Sequence, residues 1–193
     1  MKPKRADMPP SLVRSHKKQL SARAAYESVA RVAAFLDSDY ALEAITSAED
    51  SDGSGLGSEW TFRFWLGTRK AHLWLRIARE ALGFRIMEER FVVLDANTAR
   101  PPTLPVPFVD SPDVMAHVKR MMHAPPDLDH SFDTLSAKVF ADGRALWFLL
   151  DLPPFAPGEL RTHDLTEFYY YYVPCSPDGG EPFCVPMLED TLQ

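Results

Sequence analysis

The sequence predicts an α+β fold of two similar halves, each a helix packed on an antiparallel β-sheet, together forming one compact unit. Two observations carry this reading: an amphipathic helical stretch ahead of each of two alternating hairpin patterns, and a proline-rich segment between the two sets. A chain of 193 residues, 46% hydrophobic and 25% charged, can bury a real core, and its composition excludes a disordered, collagenous or low-complexity protein.

Residues 1–20 form a basic N-terminal arm, in which Lys2, Lys4, Arg5, Arg14, Lys17 and Lys18 face a single acid, Asp7. The first α+β half spans 21–96. Ala22, Ala25, Tyr26, Val29, Val32, Ala33 and Leu36 recur at helical spacing from about Ser21 to Asp39, with Arg23, Glu27 and Arg31 on the other face; the stretch from Ser11 is open as an extension of this helix. A short strand over 40–46 and a Ser, Gly and acid-rich loop over 47–58 follow. Trp60, Phe62, Phe64 and Leu66 then alternate with Thr61, Arg63 and Trp65, and Ala71, Leu73, Leu75 and Ile77 alternate with His72, Trp74 and Arg76. An even, four-residue loop from Gly67 to Lys70 keeps both apolar sets on one face, with Phe64 beside Leu73 and Arg63 beside Trp74. Two further strand candidates lie at 84–87 and 91–94.

Pro101, Pro102, Pro105 and Pro107 exclude helix and central strand, so 97–107 reads as the connector. The second half spans 108–175. Ser111-Pro112-Asp113 supplies an N-cap, a proline at the first helical position and an acid in the first turn for the helix dipole, predicting a helix to about Met122. Asp142-Gly143 predicts a two-residue hairpin turn, with Val139 beside Leu146, Ala137 beside Phe148 and Lys138 beside Trp147. A last strand over 168–173 carries four tyrosines, and 176–193 reads as an acidic, Pro-rich tail.

Several stretches approach known site motifs. Asp50, Asp52, Gly53 and Glu59 approach a calcium loop, but Ala48 stands where its first carboxylate belongs, which favours a flexible hairpin loop. His117, His123, His130 and His163 with Asp127, Asp129 and Asp133 lack the spacing of a metal site; His117 and His123 project to different faces of a helix. Cys175 with His163 is the one nucleophile and base pair worth naming, and a structural thiol or a bond to Cys184 is an equal reading. Gly53, Gly55 and Gly57 do not join a strand to a helix and are not followed by Gly-Lys-Ser/Thr, so they make no phosphate loop. No catalytic, cofactor or metal residue is therefore assigned.

The aromatic strands point elsewhere. Arg63, Trp65, Trp74 and Arg76, with Tyr169 and Tyr171, are assigned to partner binding, because rings interleaved with guanidinium groups can stack bases or anchor a protein partner. The expected function is a non-enzymatic, cytoplasmic protein-binding module: an adaptor, inhibitor, immunity-type or regulatory protein. An enzyme or small-ligand binder with a pocket between the halves, where Tyr170, Tyr172, His163 and Trp147 would converge, is the alternative. Nucleic-acid binding through the basic arm ranks third, because the formal charge is −6 and an acidic body repels the same polyanion. A homodimer through an exposed strand edge is also open. No stretch is apolar enough to cross a membrane as a helix, and no apolar run of signal-peptide type occurs near the N-terminus.

Overall fold

Alternating strand patterns become one continuous antiparallel sheet in the computed structural model of the chain, which describes residues 18–48, 53–122, 134–150 and 169–187, and the backbone of 12–13, 131–132 and 151–152. In chain order the strands are β1 (Leu12–Val13), β2 (Tyr40–Ser47), β3 (Glu59–Leu66), β4 (Ala71–Glu80), β5 (Gly83–Val93), β6 (Ser131–Phe132), β7 (Ser136–Val139), β8 (Ala145–Leu152), β9 (Tyr169–Pro174) and β10 (Phe183–Pro186). They lie in the order β1-β5-β4-β3-β2-β7-β8-β9-β10, with β6 also paired to β8. Helices α1 (Ala22–Leu36) and α2 (Ser111–Met121) complete an α+β fold; α1 packs on β3 and β4, and α2 on β9.

Ser21 caps α1, its side chain accepting the Ala24 amide, and Asp37 ends the helix in extended backbone. The buried stripe of α1 consists of Ala22, Ala25, Val29, Ala30 and Ala33. Such small side chains let the helix lie close to the sheet, where Tyr26 meets Phe62, Phe64 and Phe108 at ring distances of 6.1, 6.3 and 5.5 Å. Leu12 and Val13 do not extend this helix. They pair with Arg85 and Phe84 at the edge of β5, and Leu20 is buried in the core, so the N-terminal arm is in part a component of the fold.

The first hairpin has the expected register, Phe64 opposite Leu73 and Arg63 opposite Trp74. The two strand candidates after it are one strand, β5, which runs through a bulge at Glu89: Trp74 faces Arg90 while Leu75 faces Glu88. The second hairpin is one residue out of the expected register. Val139 faces Ala145, Lys138 faces Leu146 and Ala137 faces Trp147. The turn is longer than two residues: the Gly143 amide donates to Phe140 O, Gly143 takes φ +86°, and the Phe140 amide donates to Arg144 O. That slip sends Trp147 to the helix side and Lys138 to the other.

Phe62, Phe64, Leu73, Leu75 and Ile77 from the first half and Trp147, Leu149, Tyr171 and Val173 from the second share one hydrophobic core. Its seam is filled by Trp60, Phe108 and Trp147, with Trp147 6.5 Å from Trp60 and 6.0 Å from Phe108 in edge-on contacts. The indole N–H groups of Trp60 and Trp147 are satisfied by backbone, Trp60 by Leu20 O and Trp147 by Val109 O, both at 2.9 Å. Proline-rich 97–107 is no free linker, since Leu104 and Phe108 on either side of its end enter this core and the Leu104 amide donates to Leu42 O. Residues 176–193 are not wholly a tail, because β10 pairs with β9, setting Phe183 opposite Tyr172.

The N-cap of α2 is Asp110, one residue earlier than expected. Ser111 is thereby the first helical residue, and its side chain serves the other helix: Ser111 Oγ accepts the Ala22 amide at 2.8 Å, while Asp110 Oδ1 accepts the amides of both Arg23 and Ser111 at 2.9 Å. The glycine loop is built into this junction rather than being a flexible excursion. Gly53 and Gly55 are buried, and Gly57 exchanges two 2.9 Å backbone bonds with Leu20. Asp50 and Asp52 lie outside the described residues, and Glu59 is committed to an arginine in the sheet.

Candidate functional site

Both helices cover one face of the sheet, and the opposite face of β2 to β5 carries most of the chemistry. Arg63 and Trp65 on β3 stand beside Trp74 and His72 on β4, as the alternation requires. Tyr169 and Tyr171 share the helix side of β9, where Tyr171 is buried in the main core, so they stand apart from Arg63, Trp65, Trp74 and Arg76. Tyr170 and Tyr172 point to the face away from the helices, and Trp147 toward them, so these three do not converge on a pocket between the halves. His163 lies outside the described residues.

Two glutamates at two bulges organise this face. On β2 the register shifts between Leu42 and Ala44, so that Glu43 is the extra residue opposite Arg63. Its carboxylate is only 1% exposed and sits between a guanidinium and an imidazole: Oε2 lies 2.6 Å from Arg63 Nε, and Oε1 lies 2.7 Å from His72 Nδ1. A carboxylate can only accept, which puts the imidazole proton on Nδ1. On β5 the bulge residue Glu89 reaches Arg76 Nε at 2.8 Å, while Glu59 takes Arg76 Nη1 at 3.0 Å. The hydrogen bond to Glu59, with the charges of both acids, raises the Arg76 pKa and keeps its guanidinium protonated.

The rings complete the arrangement. His72 lies 5.6 Å from Trp65 and 5.7 Å from Trp74, Lys70 Nζ stands 5.6 Å from the Trp65 centroid, and Arg90 stacks 5.1 Å over Trp74. Trp65 is buried and Trp74 half-buried. Sequence reasoning named both tryptophans and both arginines but missed Glu43, Lys70, Glu89 and Arg90. The signal for Glu43 was the spacing of Leu42 and Ile45: both are buried, yet three residues apart, which a strand of period two accommodates only with an extra residue.

Ala44 pairs with Lys138, so the same face continues into the second half. There Lys138 Nζ stands 4.6 Å from the Phe140 ring and 5.0 Å from Phe148, and Tyr172 stacks on Phe183 at 5.0 Å. This smaller cluster contains Phe140, Leu146 and Tyr172.

The other motifs resolve as follows. Cys175 and Cys184 are free thiols, not a disulfide. Cys175 is fully buried, and burial pushes its pKa up to about 12, which opposes the thiolate that nucleophilic catalysis requires. His123, His130, Asp127, Asp129 and Asp133 lie outside the described residues, among which no group of three metal-ligating side chains occurs. No helix of the described residues is long and apolar enough to cross a membrane. Compared with models of protein families, with curated proteins and with solved structures, the chain matches none.

Proposed function

We propose that this chain is a non-enzymatic protein-binding module, of adaptor, inhibitor, immunity-type or regulatory kind, whose contact is the face of β2 to β5 away from the helices. The observation that carries the reading is the set of rings and cations on that face: Arg63 and Arg76, held by Glu43 and Glu89 from two bulges, and Arg90 over Trp74. Arginine and tryptophan are the residues most enriched where partners bind tightly, and side chains fixed before binding lose less entropy on docking. Two free cysteines favour a reducing, cytoplasmic setting. We read the two halves as copies of one helix-then-strands unit; the antiparallel pairing of β2 with β7 and the capping of α1 by Ser111 and Asp110 at the start of α2 support that reading.

The test is capture of partners by the tagged full-length chain from nuclease-treated lysate of the source organism. The reading expects one protein near one-to-one stoichiometry, lost with Trp74→Ala and retained with Phe35→Ser, whose 81% exposed ring lies on α1 at the opposite side. Capture indifferent to Trp74→Ala removes the reading. Retention on heparin that disappears with added salt and with deletion of residues 1–20 favours the nucleic-acid alternative instead, and a small molecule travelling with the chain favours the ligand-pocket alternative.

A further inference from the structure

Burying a carboxylate on the face of a sheet is costly, and an apolar residue at position 43 would avoid the cost. What Glu43 accomplishes is to fix two neighbours. It engages Arg63 through Nε and His72 through Nδ1, leaving the far end of each side chain unused. Arg63 remains 41% exposed and His72 23%, and among the described residues neither the Arg63 Nη atoms nor His72 Nε2 has a hydrogen-bond or ion-pair partner. A guanidinium and an imidazole that each meet one oxygen of the same buried acid, with their outer nitrogens left over, offer two neighbouring groups to an anion.

We propose that Arg63 and His72 form a carboxylate-binding site, positioned by Glu43, that takes an acidic side chain of a peptide or protein partner, with Trp74 as the platform for the adjoining apolar residue. The proposal rests on the reading of this face as a protein contact and names the chemistry of the partner. Charge decides for a peptide over a nucleic acid. A phosphate backbone needs several free cations in succession, whereas here Arg76 is neutralised by Glu59 and Glu89, and Arg90 lies over Trp74 with Glu88 and Glu89 beside it in sequence. One bidentate guanidinium, one imidazolium and an indole fit a single carboxylate next to an aliphatic group.

The site has a built-in pH dependence. With Nδ1–H given to Glu43, neutral His72 presents Nε2 as an acceptor, and only the imidazolium donates from it. Anion binding therefore tightens as His72 gains its proton. The charged groups set around His72 are Glu43 on β2, Arg63 on β3, Lys70 in the turn before β4 and Arg90 on β5, the last two acting across Trp65 and Trp74.

The experiment titrates the full-length chain with acetyl-Asp-Leu-amide, following the His72 and Trp74 resonances by NMR. Acetyl-Asn-Leu-amide, inorganic phosphate and an oligothymidylate run as parallel probes. The expected result is saturable shifts with the aspartyl peptide only, tighter at lower pH. Arg63→Lys, which keeps a charge for Glu43 but removes the fork, weakens binding about tenfold or more. His72→Asn, whose amide replaces Nδ1–H but not Nε2, abolishes the pH dependence at unchanged Tm. Equal shifts from the asparaginyl peptide, no saturable shift, or binding indifferent to pH and to both variants overturns the proposal, and tighter binding of phosphate and oligothymidylate replaces the peptide with a nucleic acid. A chain that binds the peptide as expected but captures no protein leaves this site standing and removes the adaptor reading; capture through Trp74 with no carboxylate dependence does the reverse.

Discussion

Ser111, the first residue of α2, accepts the amide of Ala22, the first residue of α1, through its Oγ at 2.8 Å across 89 positions of sequence. The first amides of a helix have no intrahelical partner and need an outside acceptor. Here the start of α2 supplies part of the cap of α1, since Asp110, the cap of α2, also takes the Arg23 amide, and the Arg23 side chain returns to Phe108 O at 2.6 Å. The consequence is that helix ends and halves are stabilised together.

Ser111→Ala therefore removes a buried acceptor and orphans a buried amide, at an expected cost of about 1–2 kcal/mol. Urea denaturation measures it, and amide exchange locates it: the Ala22 amide loses protection. Loss confined to α2 amides contradicts the cross-capping.

Gly55 shows how close that junction is. A Cβ there would meet Ser111 O at 2.3 Å, and its φ of +75° already disfavours any side chain. Gly55→Ala is expected to cost about 3 kcal/mol or more, whereas Gly143→Ala, with a similar φ of +86° but nothing within 4 Å, should cost only the backbone strain. Comparing the two midpoints in urea separates packing from conformation.

How much of this was legible in sequence depended on whether local rules had a unique solution. The Gly67 to Lys70 turn lies between two strands that both alternate, so a single register satisfies both, and Arg63 and Trp74 could be paired in advance. Asp142-Gly143 lies before a strand that is apolar on both faces, which offers no check on register, and the longer turn slipped the pairing by one. Phe183–Pro186 carries no periodic signal over four residues; its strand state comes from the edge that β9 offers. Four of the six assigned partner residues gathered on one face, but the anion that orders Arg63 required reading a bulge from two misphased apolar residues, Leu42 and Ile45.

The ion cluster should respond asymmetrically to mutation. Removing Arg63 leaves a buried carboxylate with only His72, whereas removing the charge of Glu43 leaves Arg63 and His72, both partly exposed, where water reaches them. Arg63→Met is expected to cost about 2–3 kcal/mol and Glu43→Gln about 1 kcal/mol, with the double variant less destabilised than the sum. A double-mutant cycle in urea gives the coupling directly, and equal single costs with no coupling would rule out the ion pair.

Asp37 predicts the acid limb of stability. Burial alone would raise its pKa, but hydrogen bonds from the Asp39 amide, the Thr68 hydroxyl and the Arg69 and Thr68 amides outweigh this and hold it below the usual 3.8. A depressed folded-state pKa contributes stability that is present above 3.8 and is lost as pH falls through the lower folded value. Asp37→Asn should flatten the stability profile below about pH 4 while lowering stability at neutral pH, because the bond that ties the end of α1 to the Arg69 amide, 3.1 Å long, weakens.

The two cysteines separate on reactivity. Cys184 is exposed on the edge strand β10, while Cys175 is buried and its thiol pushed up to about 12, so that it carries almost no thiolate at pH 8. A chromogenic disulfide reagent at that pH should titrate one thiol per folded chain quickly and the second only after unfolding. Because the Cys175 amide donates to Ala145 O and its carbonyl accepts from Val109, the strand exit holding this thiol is tied both to β8 and to the segment leading into α2. Slow labelling of Cys175 in the native protein therefore reports opening of the second half, and Ser111→Ala, by loosening the helix junction, should speed it. Fast labelling of both thiols in the folded chain would mean that the second half opens independently of that junction.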